Sequence, residues 1–451
     1  MKRVAVVGSG ISGLASAYAL AADAHVTLFE AGTYFGGHTH TVDVTLAGPG
    51  GPVTHGVDTG FLVFNPHTYP NLVRLFADLQ VETAASDMSF SVQVPSTARS
   101  NRLEWSGSNL NSVFAQRSNL LSPSFIGMLR DILRFNKLAT ALAARLTDDG
   151  AEPALAEPIG DFLAHHGFGP RFRDGYFLPM IGCIWSCPTD QMLRFPVATM
   201  IRFCHNHGLI QVVDRPQWHT VRGGARNYVH KLLARLPDTR LNTSVRSVRR
   251  LPAASGGGVM VATDHGSERF DDVVLACHSD QSLALLEGNA NSALPNERAV
   301  LGAVRYHPNR AVLHTDTAVL PSRRLAWAAW NYARAVDSGR EQTGVCLHYL
   351  INRLQPLPWQ QPVIVSLNPD PARPPSPASV LASFDYSHPV FDQAAIEAQR
   401  TLPAVQGQGG VWFCGAWTRY GFHEDGLMSA QAVVAGLHQS WRQPAPSRMA
   451  A

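Results

Sequence analysis

The chain has 451 residues, 45% of them hydrophobic and 16% charged, with a formal charge of +3. This is the composition of a well-cored globular protein, too long for one compact core and so divided into two or three domains. So small a charge, without a dense Lys/Arg stripe, excludes a nucleic-acid binder, and 37 Gly and 30 Pro make the chain loop-rich without making it collagenous or disordered.

Met1-Lys2-Arg3 and the apolar run to Ala22 have the outline of a signal peptide. Gly8, Gly10 and Gly13 interrupt that run, and export is rejected. No later stretch of 18 or more uncharged apolar residues occurs, so no membrane span is expected. Cys183, Cys187, Cys204, Cys277, Cys346 and Cys414 lack the spacing of a disulfide framework, which reads as a reducing cytoplasm.

Arg3–Val7 is a short apolar run of buried-strand type, Leu14–Ala22 an Ala/Leu-rich helix, and His25–Phe29 a second apolar strand with Glu30 at its end. This is a βαβ opening. Between strand and helix lies Gly8-x-Gly10-x-x-Gly13. Gly8 permits the tight turn, Gly10 lets the backbone approach a diphosphate, and Gly13 lets helix and strand pack closely, so that the helix start at Ile11 and Ser12 faces the anion. Glu30, with Ala31 beside it, is placed to accept from a ribose hydroxyl, which favours FAD or NAD over NADP.

Further on, residues 119–146 read as an amphipathic helix with Arg130, Arg134, Lys137 and Arg145 on one face. That face is expected to associate weakly with anionic membrane surfaces. Leu241–Arg250, Val259–Thr263 and Val273–Cys277, separated by Gly-rich turns, form a β-meander delivered back to a parallel strand. Residues 355–377 hold eight prolines and read as an irregular surface loop. Val411–Cys414 is a last strand and Leu427–Trp441 a last helix, followed by a frayed tail. No internal repeat is present.

Glu30-x5-Gly36-Gly37-His38 resembles the extended FAD fingerprint of the flavin-containing amine oxidase and phytoene desaturase superfamily. Members usually have Arg after the two glycines, on the diphosphate; here His38 weakens that contact or makes it pH-dependent. Asp58-Thr59-Gly60-Phe61 resembles the family's second loop, whose backbone lies close to the flavin. Gly223-Gly224 before the Tyr228–Leu236 helix resembles its glycine pair. The strand holding Val245 is implied to lend backbone bonds to adenine, and Asp272–Ala276 to return to the sheet. Phe413-Cys414-Gly415-Ala416 followed by Gly421-Phe422-His423-Glu424-Asp425-Gly426 resembles the closing motif, in which a helix starts under the flavin and offers its N–H groups. By that resemblance the backbone N–H of His423, much more than its imidazole, serves the cofactor. Glu424 and Asp425 either compensate the helix dipole or take a catalytic role. Within the superfamily the chain is similar to a bacterial FAD-binding subgroup met beside cyclopropane-fatty-acid-synthase-like methyltransferases, which implies a fatty-acyl or phospholipid substrate.

Two departures bear on the chemistry. Amine oxidases of the superfamily carry a lysine in the second half of the substrate domain, and this chain has none after Lys231. Phe422 stands where the family places a Tyr. Both point to an apolar C–H substrate. Trp327, Trp330, Tyr332, Tyr349 and Tyr386 either line an apolar tunnel or belong to the core. The catalytic candidates are His423, Phe422, Tyr386 and Trp330, with no base assigned. Cys414 is read as buried strand, so the FAD is expected to be non-covalent. Cys183-x3-Cys187 with Cys204, His205 and His207, and the pair His38 and His40, lack typical zinc spacing, and no metal is expected.

The expected fold is α/β. A Rossmann-type FAD-binding domain, of the two-dinucleotide-binding-domain flavoprotein type, comprises 1–75, 215–290 and 400–442. It is interleaved with a mixed α+β substrate domain of 76–214 and 291–399, and 443–451 form a flexible tail. The expected reaction is hydride transfer from a substrate C–H to flavin N5, leaving a C=C bond, with oxygen or another acceptor reoxidising the flavin. A flavin amine oxidase, a redox-neutral double-bond isomerase and a non-enzymatic flavin-binding module stay open as alternatives. The expected location is cytoplasmic, with peripheral contact at the inner membrane face.

Overall fold

The computed structural model describes residues 1–95, 102–145, 157–185, 189–211, 215–288, 292–334 and 345–442. The expected tail 443–451, Cys187, and the domain crossings at 214 and 290–291 lie outside the described residues.

Five strands form a fully parallel sheet in the order Val411–Phe413, Asp272–Leu275, Lys2–Val7, Ala24–Phe29, Asp238–Arg240. Its central strand, with Val4, Ala5 and Val6 fully buried, has the continuous apolar character that a sheet covered on both faces requires. The carboxyl ends of the four strands that end at Val7, Phe29, Leu275 and Phe413 lie at one edge, where open α/β sheets bind ligands. Gly8, Glu30, Ala276 and Cys414 follow those ends. The first helix, Ile11–Leu20, packs beside the last, His423–Arg442, and a Cβ on Gly426 would stand 2.8 Å from both Ile11 Cγ2 and Ser12 Oγ. The last helix starts four residues earlier than the apolar pattern marks, because its first turn is polar and buried.

Val245–Arg250, Val259–Thr263 and Gly266–Phe270 form the antiparallel meander that the change of period marks. A seven-stranded sheet takes its strands from 90–106 and 305–390, antiparallel throughout except where Trp330–Ala333 pairs with Phe90–Val94. One of its inner strands, Ile364–Leu367, corrects the reading of 355–377 as an irregular loop. All four residues are buried, and the flanking prolines, Pro362 and Pro369, stand outside the ladder where they cost no hydrogen bond.

Helices fill the other side. The 119–146 element is two pieces, a 3₁₀ turn Arg117–Leu121 and a helix Pro123–Ala143 capped by Ser122, whose hydroxyl accepts from the Phe125 N–H. The four cations Arg130, Arg134, Lys137 and Arg145 are all exposed, and Arg134 also lies over the Phe168 ring, 4.1 Å from its centroid, and bonds Asp131 and the Gly167 carbonyl. Among the described residues no helix is long and apolar enough to cross a membrane.

Candidate functional site

A cavity of about 810 Å3 runs from the carboxyl edge of the parallel sheet to the space between the seven-stranded sheet and the helices. Its first end is built by glycines. A Cβ on Gly8, at φ +98°, would stand 3.0 Å from the Ala276 carbonyl oxygen, and one on Gly13 only 1.9 Å from the Gly8 oxygen. A Cβ on Gly10 would meet nothing within 4 Å, because that face opens on the cavity. No side chain caps the helix that follows, so its first N–H groups are left for a ligand.

Glu30 does more than await a ribose. One oxygen accepts from the Ser9 N–H (3.0 Å) and hydroxyl (2.5 Å), the other from the Gly32 N–H (2.7 Å). The Ser9 hydroxyl oxygen in turn accepts from the Gly36 N–H at 3.0 Å. Ser9 thus joins the phosphate turn to the Gly36-Gly37 step, a role that the glycine pattern leaves unmarked. A carboxylate has about four acceptor sites, so capacity remains for a hydroxyl.

Two loops close over this end. A Cβ on Gly37 would lie 3.1 Å from Gly10 Cα, and one on Gly60 would lie 2.2 Å from the His38 carbonyl. Phe61 N–H donates to that carbonyl at 2.8 Å and Thr59 N–H to the His40 carbonyl at 2.9 Å. Asp58 anchors the second loop from beneath, accepting from the Thr41 hydroxyl, the Ala225 N–H and the Gln355 amide. Burial pushes its carboxyl up to about 7 against those bonds.

His423 opens the last helix at the cavity wall. Its ring stacks on Phe61 (3.7 Å between centroids, 16°) and its Nε2 lies 2.9 Å from the Thr39 hydroxyl and 3.2 Å from that of Tyr228. Burial lowers its pKa to about 3, so the ring is neutral. The imidazole has a structural part beside whatever its N–H does: it bonds two hydroxyls and covers a Phe face. Glu424 also departs from simple dipole compensation, since its carboxylate binds the start of another helix. Asp425 accepts the Phe422 N–H at 3.0 Å, and burial raises its pKa to about 7.

The other end is aromatic. Phe422 stacks on Phe203 (5.0 Å, 24°) beside His207, and Trp330 meets Tyr349 edge-on at 4.8 Å. The Tyr386 hydroxyl bonds Thr59 (2.8 Å) and His40 (2.9 Å). Trp327 and Tyr332 do not reach the cavity: Trp327 donates its Nε1 to the Pro321 carbonyl within a separate small cluster, and Tyr332 lies deeper in the core. Met180, Ile184 and Trp185, from a helix hydrophobic on every side, complete the wall. They were missed because such a helix shows no facing stripe.

Of the residues expected at the cofactor, Gly8, Gly10, Ile11, Ser12, Glu30, Ala31, Gly36, Gly37, His38, Thr59, Gly60, Val245, Gly415, Ala416, Gly421, Phe422 and His423 all line this cavity, and Gly13 backs it. Among the described lining residues the one carboxylate is Glu30 and the one guanidinium Arg246, and no lysine is present. Lys231 instead donates to the carbonyls of Leu79 and Gln80. Among the described residues no group of three or more His, Cys, Asp or Glu is placed to hold a metal.

The model of the flavin-containing amine oxidoreductases matches residues 11–328. The chain belongs to that family. It is a flavin-dependent oxidoreductase of mixed α/β fold. Solved structures of similar fold include an Exiguobacterium sp. 255-15 protein assigned as a protoporphyrinogen oxidase (18% identity, 97% of this chain and 99% of that one, TM-score 0.66). Others are the CLA-producing fatty acid isomerase from P. acnes (14%, 96% and 98%, 0.65) and cyclohexylamine oxidase from Brevibacterium oxydans IH-35A (16%, 98% and 100%, 0.64). No curated protein matches the chain. At these identities the structural likeness establishes the fold alone. The residues present fit the flavin that the family implies. The open face at Gly10 admits a backbone-hugging ligand, the first helix start is uncapped, and two buried polar atoms in the wall, His38 Nε2 and Trp330 Nε1, have no protein partner.

Proposed function

We propose that the protein holds FAD non-covalently and desaturates an apolar substrate of the fatty-acyl or lipid class, with oxygen or another acceptor as the final oxidant. When bound, FAD supplies the hydride-accepting centre. The Gly8–Gly13 turn, Glu30, the Gly36–His38 step, Thr59, Gly60 and Val245 would hold it, with Gly415, Ala416, Gly421, Phe422 and His423 at its other end. The cavity thiols Cys183 and Cys277 are both pushed up by burial, Cys277 to about 11, which disfavours attachment through a thiolate.

The observation that carries the substrate class is the chemistry of the far wall. Phe90, Met180, Trp185, Phe203, Trp330 and Phe422 line it; among the described lining residues there is no lysine, and the one carboxylate, Glu30, stands at the phosphate-turn end. A protonated amine entering there would lose its hydration and find no counter-ion, whereas an acyl chain gains by burial at about 25 cal/mol per Å2. His207, the histidine of that wall, is held neutral, its pKa lowered to about 4 by burial.

The test is anaerobic mixing of the purified yellow protein with fatty acids, phospholipids and simple amines while the flavin absorbance is followed. Bleaching by an unsaturated or methyl-branched acyl chain, and not by amines, is the expected result. Bleaching by primary or secondary amines alone identifies an amine oxidase. Anaerobic conversion of a lipid without net oxidation identifies a double-bond isomerase, and no bleaching by any class leaves a flavin-binding module.

A further inference from the structure

The histidine of the apolar far wall has its proton fixed by the backbone. His207 is the C-cap of the Val197–Asn206 helix, and its Nδ1 lies 3.1 Å from the Phe203 carbonyl oxygen, one turn back. A carbonyl oxygen can only accept, so the proton of the neutral ring sits on Nδ1. Nε2, on the outer edge of the ring, then carries a bare lone pair. Among the described residues no donor bonds Nε2, and the lone pair is left to the cavity that His207 lines.

The ring is held in place by neutral neighbours. It stacks on Phe203 (3.9 Å, 22°), lies nearly parallel to Trp218 at 6.3 Å, meets Tyr69 edge-on at 6.4 Å and stands 5.5 Å from the Phe422 ring of the closing motif. His67 acts on it from the loop before Tyr69, and Tyr69 keeps its own proton because burial raises its pKa. Behind Tyr69, Glu424 is bonded to Asn71 and Leu72, and Asp425 to the Phe422 N–H. Burial holds the His207 ring neutral, at about 4. Two other cavity histidines are committed elsewhere: His423 Nε2 lies between two hydroxyls, and His388 Nδ1 accepts from the Asn309 amide at 3.1 Å.

We propose that His207 Nε2 is the base that receives the proton when the acyl chain is desaturated. This rests on the desaturase reading above, in which a hydride and a proton leave adjacent carbons. One C–H bond departs with its electron pair as the hydride. The neighbouring C–H bond breaks, its pair becomes the second bond of the C=C, and its proton goes to Nε2 while the Nδ1–H stays on the Phe203 carbonyl. The hydride brings one negative charge into the cavity as the ring gains one positive charge, so the net charge of the cavity is unchanged. A carbon beside one that has lost hydride is a strong acid, so a weak base suffices. A ring of such low pKa then passes the proton on to water.

Two measurements on the full chain with its flavin test this. Nitrogen NMR of wild type carrying labelled histidine, read against His207→Gln or His207→Ala to pick out the ring, should show Nδ1 protonated and Nε2 bare from pH 5.5 to 8. A ring protonated on Nε2, or one that titrates in that range, would overturn the proposal without any turnover being measured. The second measurement is anaerobic flavin bleaching by oleic and isostearic acids. His207→Gln and His207→Ala should bleach about a hundredfold more slowly, with the half-saturating chain concentration nearly unchanged. Added imidazole should restore a saturable part of the rate to the Ala variant, whose vacated space admits it; a residue that only caps its helix would give no such response. Variant rates equal to wild type, or an Ala variant that imidazole does not restore, would overturn the proposal. If neither acid bleaches the wild type, or amines alone do, the desaturase reading itself falls, and the proposal with it, whatever the tautomer.

Discussion

Glu424 stands in the first turn of the last helix, yet its carboxylate accepts the backbone N–H groups of Asn71 and Leu72, each at 3.0 Å, and the Asn71 side-chain amide at 2.6 Å. Those N–H groups open the Pro70–Asp78 helix, whose own N-cap, Tyr69, makes no capping bond. The acid therefore caps a neighbouring helix, and ties the chain's closing motif to the loop that carries Thr59 and Phe61. Buried donors left without an acceptor cost about 1–3 kcal/mol. Glu424→Ala is expected to lose about that much stability in urea unfolding, with Glu424→Gln intermediate because one of its two acceptors becomes a donor. Wild-type stability in the Ala variant would show that the cap is replaced by water.

A second relationship sets the acid limit of the fold. On the seven-stranded sheet, Asp316 N–H donates to His314 Nδ1 at 3.1 Å, so the proton of neutral His314 sits on Nε2 and points at Ser366 Oγ, 2.6 Å away. The serine proton then goes to His348 Nδ1 at 2.6 Å, and His348 Nε2 faces Cys346 Sγ at 3.6 Å. Every member is satisfied only while both rings are neutral. Burial lowers His314 to about 4 and His348 to about 3, against about 6.5 in the unfolded chain. The unfolded state therefore binds more protons below pH 6.5, and stability that is full above that value is lost as pH falls. The slope is about 1.4 kcal/mol per pH unit for each histidine at its steepest. Denaturant midpoints measured from pH 7.5 to 4.5 should fall accordingly, and His348→Gln should reduce the slope by about one proton. A flat profile would contradict the assigned chain.

A weak contact with anionic membranes is the prediction for the Pro123–Ala143 helix and the turn before it. Leu121 is 89% exposed, Leu133 60% and Leu120 53%, and Arg130 and Lys137 are exposed on the same helix. Basic residues near an anionic surface contribute about 1 kcal/mol each. Flotation with anionic liposomes should carry the protein at low ionic strength and release it in salt, and Leu121→Asp should weaken it. Absence of flotation at low salt would leave this as an ordinary solvated face.

How much of this was legible in the sequence depended on whether the signal was local. The Gly8–Gly13 turn, Glu30 at its strand end and the closing glycines were legible as backbone features because each answers a demand at its own position: φ +98° at Gly8, or the 1.9 Å approach at Gly13. Ile364–Leu367 was hidden because eight prolines in one window outweighed three apolar residues and a serine. The hairpin Thr41–Gly48 with Gly51–Asp58 turns at Pro49-Gly50, a dipeptide that marks a turn in the sequence. Partnerships across hundreds of residues, such as Glu424 with Leu72 or Tyr386 with Thr59, have no local signature at all.

His423 allows the ring and the backbone to be separated. The resemblance implies that its backbone N–H serves the flavin, and the structure adds a ring stacked on Phe61 and bonded to Thr39 and Tyr228. His423→Phe keeps the stack and loses the bonds, an expected cost of about 1–2 kcal/mol in stability. His423→Ala loses both, about 2–4 kcal/mol by analogy with truncated buried rings. His423→Pro loses the ring as Ala does and also the N–H. Proline is tolerated at a helix's first position, and the bonds that hold this turn, Phe422 N–H to Asp425 and Gly426 N–H to the Phe422 carbonyl, do not use the His423 N–H. The difference between Pro and Ala therefore isolates one donor. A preorganised donor aimed at developing charge is worth on the order of 3 kcal/mol, about a hundredfold in rate. Stopped-flow flavin reduction, after flavin content and folding are matched, should find Pro slower than Ala by about that factor. The wild-type rate should show no pH break from residue 423, since its ring, at about 3, is neutral throughout. Equal rates for Pro and Ala would place the contribution of this residue wholly in its ring.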